Sequence, residues 1–308
     1  MNGNPVKIRD VAAKAGVSVG TVSNVLNRPE LVAESTREAV LAAIDELDYV
    51  RNGSASRLRA KKSTIVGVLV ADISNPFVSD FVEGIEAGLA PRGYTAIVSS
   101  TGFDLARLAH QLQLMEEHRV AGIVLPPVFQ DEIAPRIELM RSRGFAFVQL
   151  GSPELPVPGC TADIDQVQGG YLAGDHLLEI GRRRIVFVGG PPEMAFSTVR
   201  LDGFRDAIAA HGAPKPEVVR IPGLTGLEGY GATDEILDHK PDAVFCANDL
   251  AALGVLRGLV ERGCRVPDDV ALVGFDDIEF AEVAVVPLTT IRQPGHALGS
   301  AAAKLLVD

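Results

Sequence analysis

The apolar residues near the start of the chain recur at the spacing of an amphipathic helix. Four of them stand at positions i, i+3, i+4 and i+7: Ile8, Val11, Ala12 and Ala15. Because this stripe buries one face of a helix, the pattern predicts a short first helix that Gly16 ends. Ser18 then stands where it can cap a second helix. The two elements together predict a helix-turn-helix.

The second helix of this pair has an apolar and a polar side. The apolar side is formed by Val22, Val25 and Leu26. The outer side carries small residues: Val19, Gly20, Thr21, Ser23 and Asn24. Because small side chains at the start of a helix permit close approach to DNA, this face is suited to the major groove.

A third helix is expected shortly afterwards. Ser35 and Glu38 have the spacing of a capping box, which predicts a helix start at Ser35. The apolar stripe of this helix is Val40, Leu41, Ile44 and Leu47. It would close a small three-helix core.

Residues 50–62 are polar, basic and poor in large apolar side chains, which predicts a flexible linker. Residues 1–62 hold 10 Lys and Arg against 7 Asp and Glu, whereas residues 63–308 hold 19 against 33. The net charge of -11 is therefore the sum of a basic N-terminal part and a strongly acidic remainder. Since phosphate contacts supply much of the affinity for DNA, the basic part is the expected DNA-binding part.

From Thr64 onward, predicted strands alternate with predicted helices, which is typical of a parallel sheet covered on both faces. The strand candidates are 65–70, 96–99, 122–125, 145–148, 185–188, 243–246 and 271–273. The helix candidates are 76–92, 105–118, 167–178, 200–211, 229–237 and 250–262. The pattern predicts two similar halves.

Polar residues follow several of these strands. Asp72, Asn248 and Asp276 each stand near the carboxyl end of a predicted strand. Ligands of parallel sheets bind beyond these ends, so we expect a pocket there. Carboxylate and amide groups around an aromatic ring suit a small polyhydroxylated or nitrogenous ligand.

Composition excludes several other classes of function. The chain has 308 residues, 47% of them hydrophobic, and neither a secretory signal nor an apolar run long enough to span a membrane is evident. Cys160, Cys246 and Cys264 lack the spacing of a disulfide framework or a zinc site and are expected to be buried thiols.

No metal ligands, cofactor or catalytic residues are predicted. Residues 16–20 match G-x-S-x-G, but a nucleophile elbow needs a preceding strand. We expect a cytoplasmic protein that is not an enzyme.

The run from Asp10 to Asn27, together with the segments after it, resembles the lactose-repressor (LacI/GalR) family of bacterial transcription regulators. The resemblance implies an all-α helix-turn-helix domain and an α/β core of two Rossmann-like lobes similar to a periplasmic binding protein. It divides the chain into residues 1–49 for DNA binding, 50–62 for a hinge, 63–160 with 292–308 for one lobe, and 161–291 for the other. Relatives continue for roughly thirty residues beyond this C-terminus, so the sequence is expected to be incomplete.

The resemblance also implies how DNA is bound. A homodimer would bind a palindromic operator, with the helix 76–92 contributing to self-association. The DNA-binding residues expected from it are Ser18, Val19, Gly20, Thr21, Ser23, Asn24, Asn27, Tyr49, Asn52, Ala55 and Leu58. Leu58 matches a hinge leucine that wedges into the minor groove, although an ordinary linker contact is the alternative.

The effector positions implied by the resemblance lie in the two-lobed core. They are Asp72, Phe77, Arg200, Asn248 and Asp276. Three positions depart from sugar-responsive relatives, namely Gly151, Gln166 and Leu224, and a carbohydrate effector remains the family's default.

Several residue roles stay open at this point. Arg200 and Asp276 could pair across the cleft, and Phe77 could be a core residue rather than a stacking one. Asp249 is expected to cap a helix beginning at Leu250 rather than to contact a ligand. A transport solute-binding module is the rival class, which the basic N-terminal part disfavours.

Overall fold

A computed structural model of the chain describes residues 6–49, 63–127, 130–151 and 159–308. Internal contacts divide the chain into residues 1–63, which we call the head, and residues 64–308, which we call the body. The predicted hinge, residues 50–62, lies outside the described residues. Among the helices of the described part, none is long and apolar enough to cross a membrane.

The head contains the predicted helix-turn-helix. Its helices are α1 (Ile8–Lys14), α2 (Val19–Asn27) and α3 (Glu34–Glu46), with a 3-10 turn at Pro29–Leu31. Gly16 has a φ of +67°, a left-handed conformation that glycine adopts without steric cost. The Ser18 side chain accepts a hydrogen bond from the backbone N–H of Thr21 at 3.0 Å, which confirms the predicted cap.

The core of the head is formed by small and branched side chains from all three helices. Its buried members are Val11, Ala12, Val22, Val25, Val40 and Ala43. Two predictions for α3 are wrong. The helix begins at Glu34, so Ala33 holds the cap position without a side-chain hydrogen bond and Ser35 does not cap it. Leu41 is 46% exposed, and Ala43 is buried instead.

The body is built on two parallel five-stranded sheets. The first contains β1 (Ile65–Val70), β2 (Thr95–Ser100), β3 (Gly122–Leu125), β4 (Ala146–Leu150) and β5 (Cys160–Ala162) in the order β2-β1-β3-β4-β5. The second contains β6 (Ile185–Gly189), β7 (Glu217–Arg220), β8 (Ala243–Cys246), β9 (Ala271–Asp276) and β10 (Thr289–Arg292) in the order β10-β9-β8-β6-β7. We call the halves built on these sheets the first and second lobes.

Helices cover both sheets. In the first lobe they are α4 (Pro76–Leu89), α5 (Leu105–Glu117) and α6 (Gln130–Ser142). In the second lobe they are α7 (Gln166–Glu179), α8 (Ala195–Ala210), α9 (Gly226–Gly231), α10 (Thr233–Asp238), α11 (Asp249–Glu261) and α12 (Glu279–Glu282). The last helix, α13 (Gly295–Val307), packs against α4 and therefore belongs to the first lobe.

The described part of the body crosses between the lobes after β5 and again after β10. The first crossing follows Ala162, because β5 pairs with β4 from Cys160 to Ala162. The second follows Arg292, since β10 pairs with β9 through that residue. The strands predicted from long apolar runs are present, whereas the short strands β5, β7 and β10 were not predicted.

Two smaller expectations are corrected by the body. The helix predicted over 229–237 is two short helices, α9 and α10, with Ala232 between them. Of the three free cysteines, Cys246 is buried, Cys264 is half-buried and Cys160 is exposed. Cys160 is the first residue of β5, a three-residue strand at the edge of the first sheet.

Candidate functional site: a cleft between the lobes

A cavity of about 640 Å³ lies between the two lobes of the body, beyond the carboxyl ends of both sheets. Its first-lobe lining includes Asp72, Asn75, Phe77, Phe103, Leu150 and Gly151. Its second-lobe lining includes Phe196, Arg200, Leu224, Glu228, Asn248 and Asp276. This volume falls within the roughly 300–1,000 Å³ of small-molecule sites. All five effector residues expected from the sequence line this one cavity.

Arg200 is the central cation of the cleft. It lies on α8, is 4% exposed, and stacks its guanidinium 3.7 Å from the ring centre of Phe275. Its Nε donates to the side-chain oxygen of Gln166 at 2.7 Å, and its Nη1 donates to the backbone oxygen of Ala247. Burial lowers the pKa of Arg200 to about 10, which leaves it charged at neutral pH.

Asp276 is the buried anion beside Arg200. Its Oδ1 lies 3.8 Å from Nη1 of Arg200 and accepts a hydrogen bond from the Gln293 amide at 2.5 Å. Its Oδ2 accepts from the Asn75 amide at 3.0 Å. Burial raises the pKa of this carboxyl, and the nearby guanidinium counteracts the rise. The pairing of Arg200 with Asp276, which the sequence left open, forms within the second lobe and not across the cleft.

The capping role expected of Asp249 belongs to Asn248, which also lines the cavity. Asn248, not Asp249, is the cap of α11, since its Oδ1 accepts from the backbone N–H of Ala251 at 2.9 Å. Asp249 is the first residue of that helix and accepts from the Ile278 backbone at 2.9 Å and from the Thr290 hydroxyl at 2.6 Å. The prediction that Asp249 is the cap is therefore wrong.

In the first lobe, the segment between β1 and α4 supplies polar groups to the cleft. Asp72 accepts from the backbone N–H and hydroxyl of Ser74 at 2.9 and 2.7 Å, which fixes the turn. Asn75 caps α4 by accepting from the N–H of Phe77 at 3.0 Å. Phe77 is half-buried and lines the cavity.

Asn75 and Gln293 contact Asp276 but were missed by sequence reasoning. Asn75 stands directly before a proline at a helix start, a position typical of a capping residue. That signal could have indicated the cap, but it does not indicate a second hydrogen bond from the amide nitrogen. Gln293 follows β10, a short strand that the sequence did not reveal.

The charges around the cleft are mostly negative. The carboxylates in its lining are Asp72, Asp163, Asp165, Glu228 and Asp276, whereas Arg200 is the cation among the lining residues. Because Arg200 is already paired with Asp276, the site disfavours an anionic ligand. Within the described ranges, no group of three or more His, Cys, Asp or Glu residues could hold a metal ion.

The expected DNA-binding residues of the described head lie mainly on α2. Val19, Gly20, Asn24 and Asn27 are exposed, and Thr21 and Ser23 are half-buried. Ser18 and Thr21 bond to each other, and the Asn27 amide donates to Ser23. Tyr49 packs on the core of the head. Asn52, Ala55 and Leu58 fall outside the described residues.

A helix-turn-helix head joined to a two-lobed binding core defines a class of protein, the transcription regulators with a ligand-sensing domain. The family model for bacterial regulatory proteins of the lacI family matches residues 7–52. The model for the periplasmic binding protein-like domain matches residues 174–308.

Relatives match almost the whole chain. The HTH-type transcriptional repressor PurR of Klebsiella pneumoniae subsp. pneumoniae is 35% identical over 98% of this chain and 89% of its own length. The HTH-type transcriptional regulator CelR of Thermobifida fusca is 38% identical over 97% of this chain and 90% of its own. The chain therefore belongs to the lacI family of DNA-binding transcription regulators, and this family assignment confirms that it is not an enzyme.

Solved structures show the same architecture. A complex of the regulator CelR with cellobiose is 34% identical, covers 98% of this chain and 92% of its own, and has a TM-score of 0.71. The lac repressor dimer bound to operator and the anti-inducer ONPF is 29% identical, covers 99% and 92%, and has a TM-score of 0.84. These similarities confirm the predicted fold class, an N-terminal helix-turn-helix followed by two parallel α/β lobes.

Proposed function

We propose that the protein is a repressor that binds a palindromic operator as a homodimer. A neutral sugar bound in the cleft changes the affinity of the protein for this operator. The head binds DNA through α2, and the body binds the ligand between its lobes. Because its target is chromosomal DNA, the protein acts in the cytoplasm. The effector-binding residues are Asp72, Phe77, Arg200, Asn248 and Asp276.

The observation that carries the ligand proposal is the buried pair of Arg200 and Asp276 facing a cavity between two lobes. Burying a charged pair is costly unless its remaining hydrogen-bonding capacity is used. Hydroxyl groups both donate and accept, so a sugar matches the guanidinium and the carboxylate together. Stacking surfaces are provided by Phe77, Phe103 and Phe196, which line the same cavity.

The negative lining favours a neutral sugar over a sugar phosphate. A phosphate in the cleft would lie near several carboxylates, and Arg200, the cation among the described lining residues, is already paired with Asp276. A relative supports this ligand class, because a structure of CelR was solved with cellobiose.

The dimer and the operator rest on the relative whose structure contains both. The lac repressor was solved as a dimer on its operator, and it covers 99% of this chain. Two heads related by a twofold axis bind two half-sites, so the operator is palindromic. Ligand binding shifts operator affinity only if it favours one of two conformations of the body.

A thermal-shift screen of the full chain tests the ligand class. The panel contains cellobiose, ribose, glucose 6-phosphate and adenine. A ligand present at 100 times its dissociation constant stabilises by about 2.7 kcal/mol, which raises Tm by about 5–10 °C for a body of this size. We expect such a rise with a neutral sugar. A rise with the phosphate or the base alone would contradict the proposal.

Selection of duplexes from genomic fragments tests the DNA function with the same protein. We expect salt-sensitive enrichment of a palindromic sequence. Adding the sugar that raises Tm should then change the affinity for that sequence. Absence of any enriched sequence, with or without sugar, would contradict the repressor function.

A further inference from the structure

The helix assigned to base reading carries no charged side chain. From Val19 to Asn27, α2 has neither an acidic nor a basic residue. The commonest sequence-specific contact, a bidentate Arg or Lys to guanine, is therefore impossible from this helix. Its readable groups are restricted to amides, hydroxyls and methyl groups.

Among the polar side chains of α2, Asn24 is free to bind a base. Thr21 is bonded to Ser18, and Ser23 accepts from the Asn27 amide at 3.3 Å. Asn24 is exposed, and its amide makes no hydrogen bond with the described residues. An asparagine amide pairs with both N6 and N7 of adenine, since it offers one acceptor and one donor.

Gly20 lies one helical turn before Asn24 on the same side of α2. The structure of the head does not require a glycine at this position. A Cβ at this position would meet only the Ser18 hydroxyl, at 3.5 Å, an ordinary contact distance. Its φ lies outside the left-handed range. Glycine is also a poor helix former, so alanine would suit the helix better. A close approach by another molecule explains a glycine here.

We propose that α2 reads an A·T base pair in each operator half-site, with Asn24 pairing to the adenine and Gly20 providing the space for its approach. Val19, which is 41% exposed, lies at the start of the same helix and contacts a thymine methyl group. This inference rests on the proposed DNA-binding function and adds the base that the helix recognises.

Selection of duplexes from a randomised pool by the full chain tests the role of Asn24. The wild type should enrich an adenine at one position of each half-site. Asn24→Ala should lose that preference while keeping the other positions, and should bind the selected duplex at least about fivefold more weakly. Asn24→Arg should shift the preference at that position to guanine.

Gly20→Ala separates approach to DNA from helix stability. We expect slower hydrogen exchange in the peptide covering α2, because alanine favours the helix, together with at least tenfold weaker binding of the selected duplex. The matched control is Gly231→Ala on α9, where a Cβ meets nothing within 4 Å. That control should leave DNA affinity unchanged.

The outcomes distinguish this inference from the function on which it rests. If the wild type enriches no sequence, the DNA-binding function fails. If it enriches a sequence that Asn24→Ala enriches equally, the adenine assignment is overturned. If Gly20→Ala stabilises α2 and binds DNA as well as the wild type, the approach role of Gly20 is overturned.

Discussion

At the scale of single residues, Asn75 connects the two lobes while it caps a helix. Its oxygen accepts from the N–H of Phe77 in the first lobe, and its nitrogen donates to Asp276 in the second. Asp276 also adopts a φ of +118°, which is unusual for a residue with a side chain. The surroundings of Asp276 therefore hold it in a strained backbone at the ligand cavity.

Substitutions of Asn75 can separate the cap from the contact between the lobes. Ser keeps the cap but is too short to reach Asp276, and a hydrogen bond to a charged group contributes about 1.5–3 kcal/mol. Asp also keeps the cap but places a second carboxylate beside Asp276. We expect Asn75→Asp to lower the free energy of urea unfolding more than Asn75→Ser. Adding Asp276→Asn should remove the additional loss of stability seen in Asn75→Asp. Equal losses in Asn75→Asp and Asn75→Ser would contradict the hydrogen bond between Asn75 and Asp276.

Asp249 predicts a pH dependence of stability. Burial raises its pKa from the usual 3.8 of an aspartate to about 7, so the folded protein binds this proton more tightly than the unfolded chain does. The contribution is fully present below about pH 4 and is lost as the pH rises through 7. Urea unfolding between pH 5 and 8 should show a smaller pH-dependent decrease in Asp249→Asn than in the wild type.

The hydroxyl of Thr290 allows a second test of the Asp249 titration, with a change in the opposite direction. Its hydrogen bond to Asp249 favours the ionised carboxylate and lowers its pKa. Removing it in Thr290→Val should therefore make stability fall more steeply as the pH rises. A parallel pH dependence in wild type and both variants would show that Asp249 does not titrate in this range.

At the scale of elements, glycines set the distance between packed helices. A Cβ on Gly203 of α8 would lie 1.9 Å from the backbone oxygen of Val167 on α7. A Cβ on Gly170 of α7 would lie 2.0 Å from the backbone oxygen of Arg200. The close packing of these two helices therefore fixes the position of Arg200 in the cleft.

Gly203→Ala should force α7 and α8 apart. Overpacking of this kind costs about 1–3 kcal/mol, and the contact is with backbone, which cannot rotate away. Urea unfolding should show that loss, together with weaker binding of the sugar found in the thermal-shift screen. Gly231→Ala, whose Cβ would have open space around it, should keep both its stability and its sugar affinity. Equal stability of the two variants would contradict the tight packing.

At the scale of the whole molecule, charge separates the two functions. The N-terminal 62 residues are net basic, whereas the remainder carries 33 acidic against 19 basic residues. Several cations of the head are paired within it, as Arg37 is with Glu34 at 3.1 Å. Arg28, at the end of α2, is exposed and has no ion pair with the described residues.

Salt titrations of DNA binding should therefore distinguish Arg28 from Arg37. A phosphate contact contributes about 0.9 to the slope of log affinity against log salt. We expect Arg28→Ala to weaken binding uniformly across sequences and to reduce the slope by about 1. Arg37→Ala should leave the slope nearly unchanged, since Glu34 already neutralises that charge. An equal change of the slope in Arg28→Ala and Arg37→Ala would contradict this difference.

The sequence alone determined the elements with strong local signals. The stripe of α1, the Ser18 cap and the long apolar runs of β1, β3 and β8 were predicted from spacing and composition. The dense N-terminal motif also gave the family. Local signals suffice here because helix periodicity, capping and burial on both faces of a strand act within a few neighbouring residues.

Only the tertiary structure decided which polar groups meet. The short strands β5, β7 and β10 form because neighbouring strands supply their hydrogen bonds. The contacts of Asp276 with Asn75 and Gln293 join residues 201 and 17 positions apart. Asn248, rather than Asp249, became the cap because the Asp249 carboxylate is held by Ile278 and Thr290. These partners lie far apart in the sequence and meet only when the sheets and lobes assemble, so no local pattern encodes them.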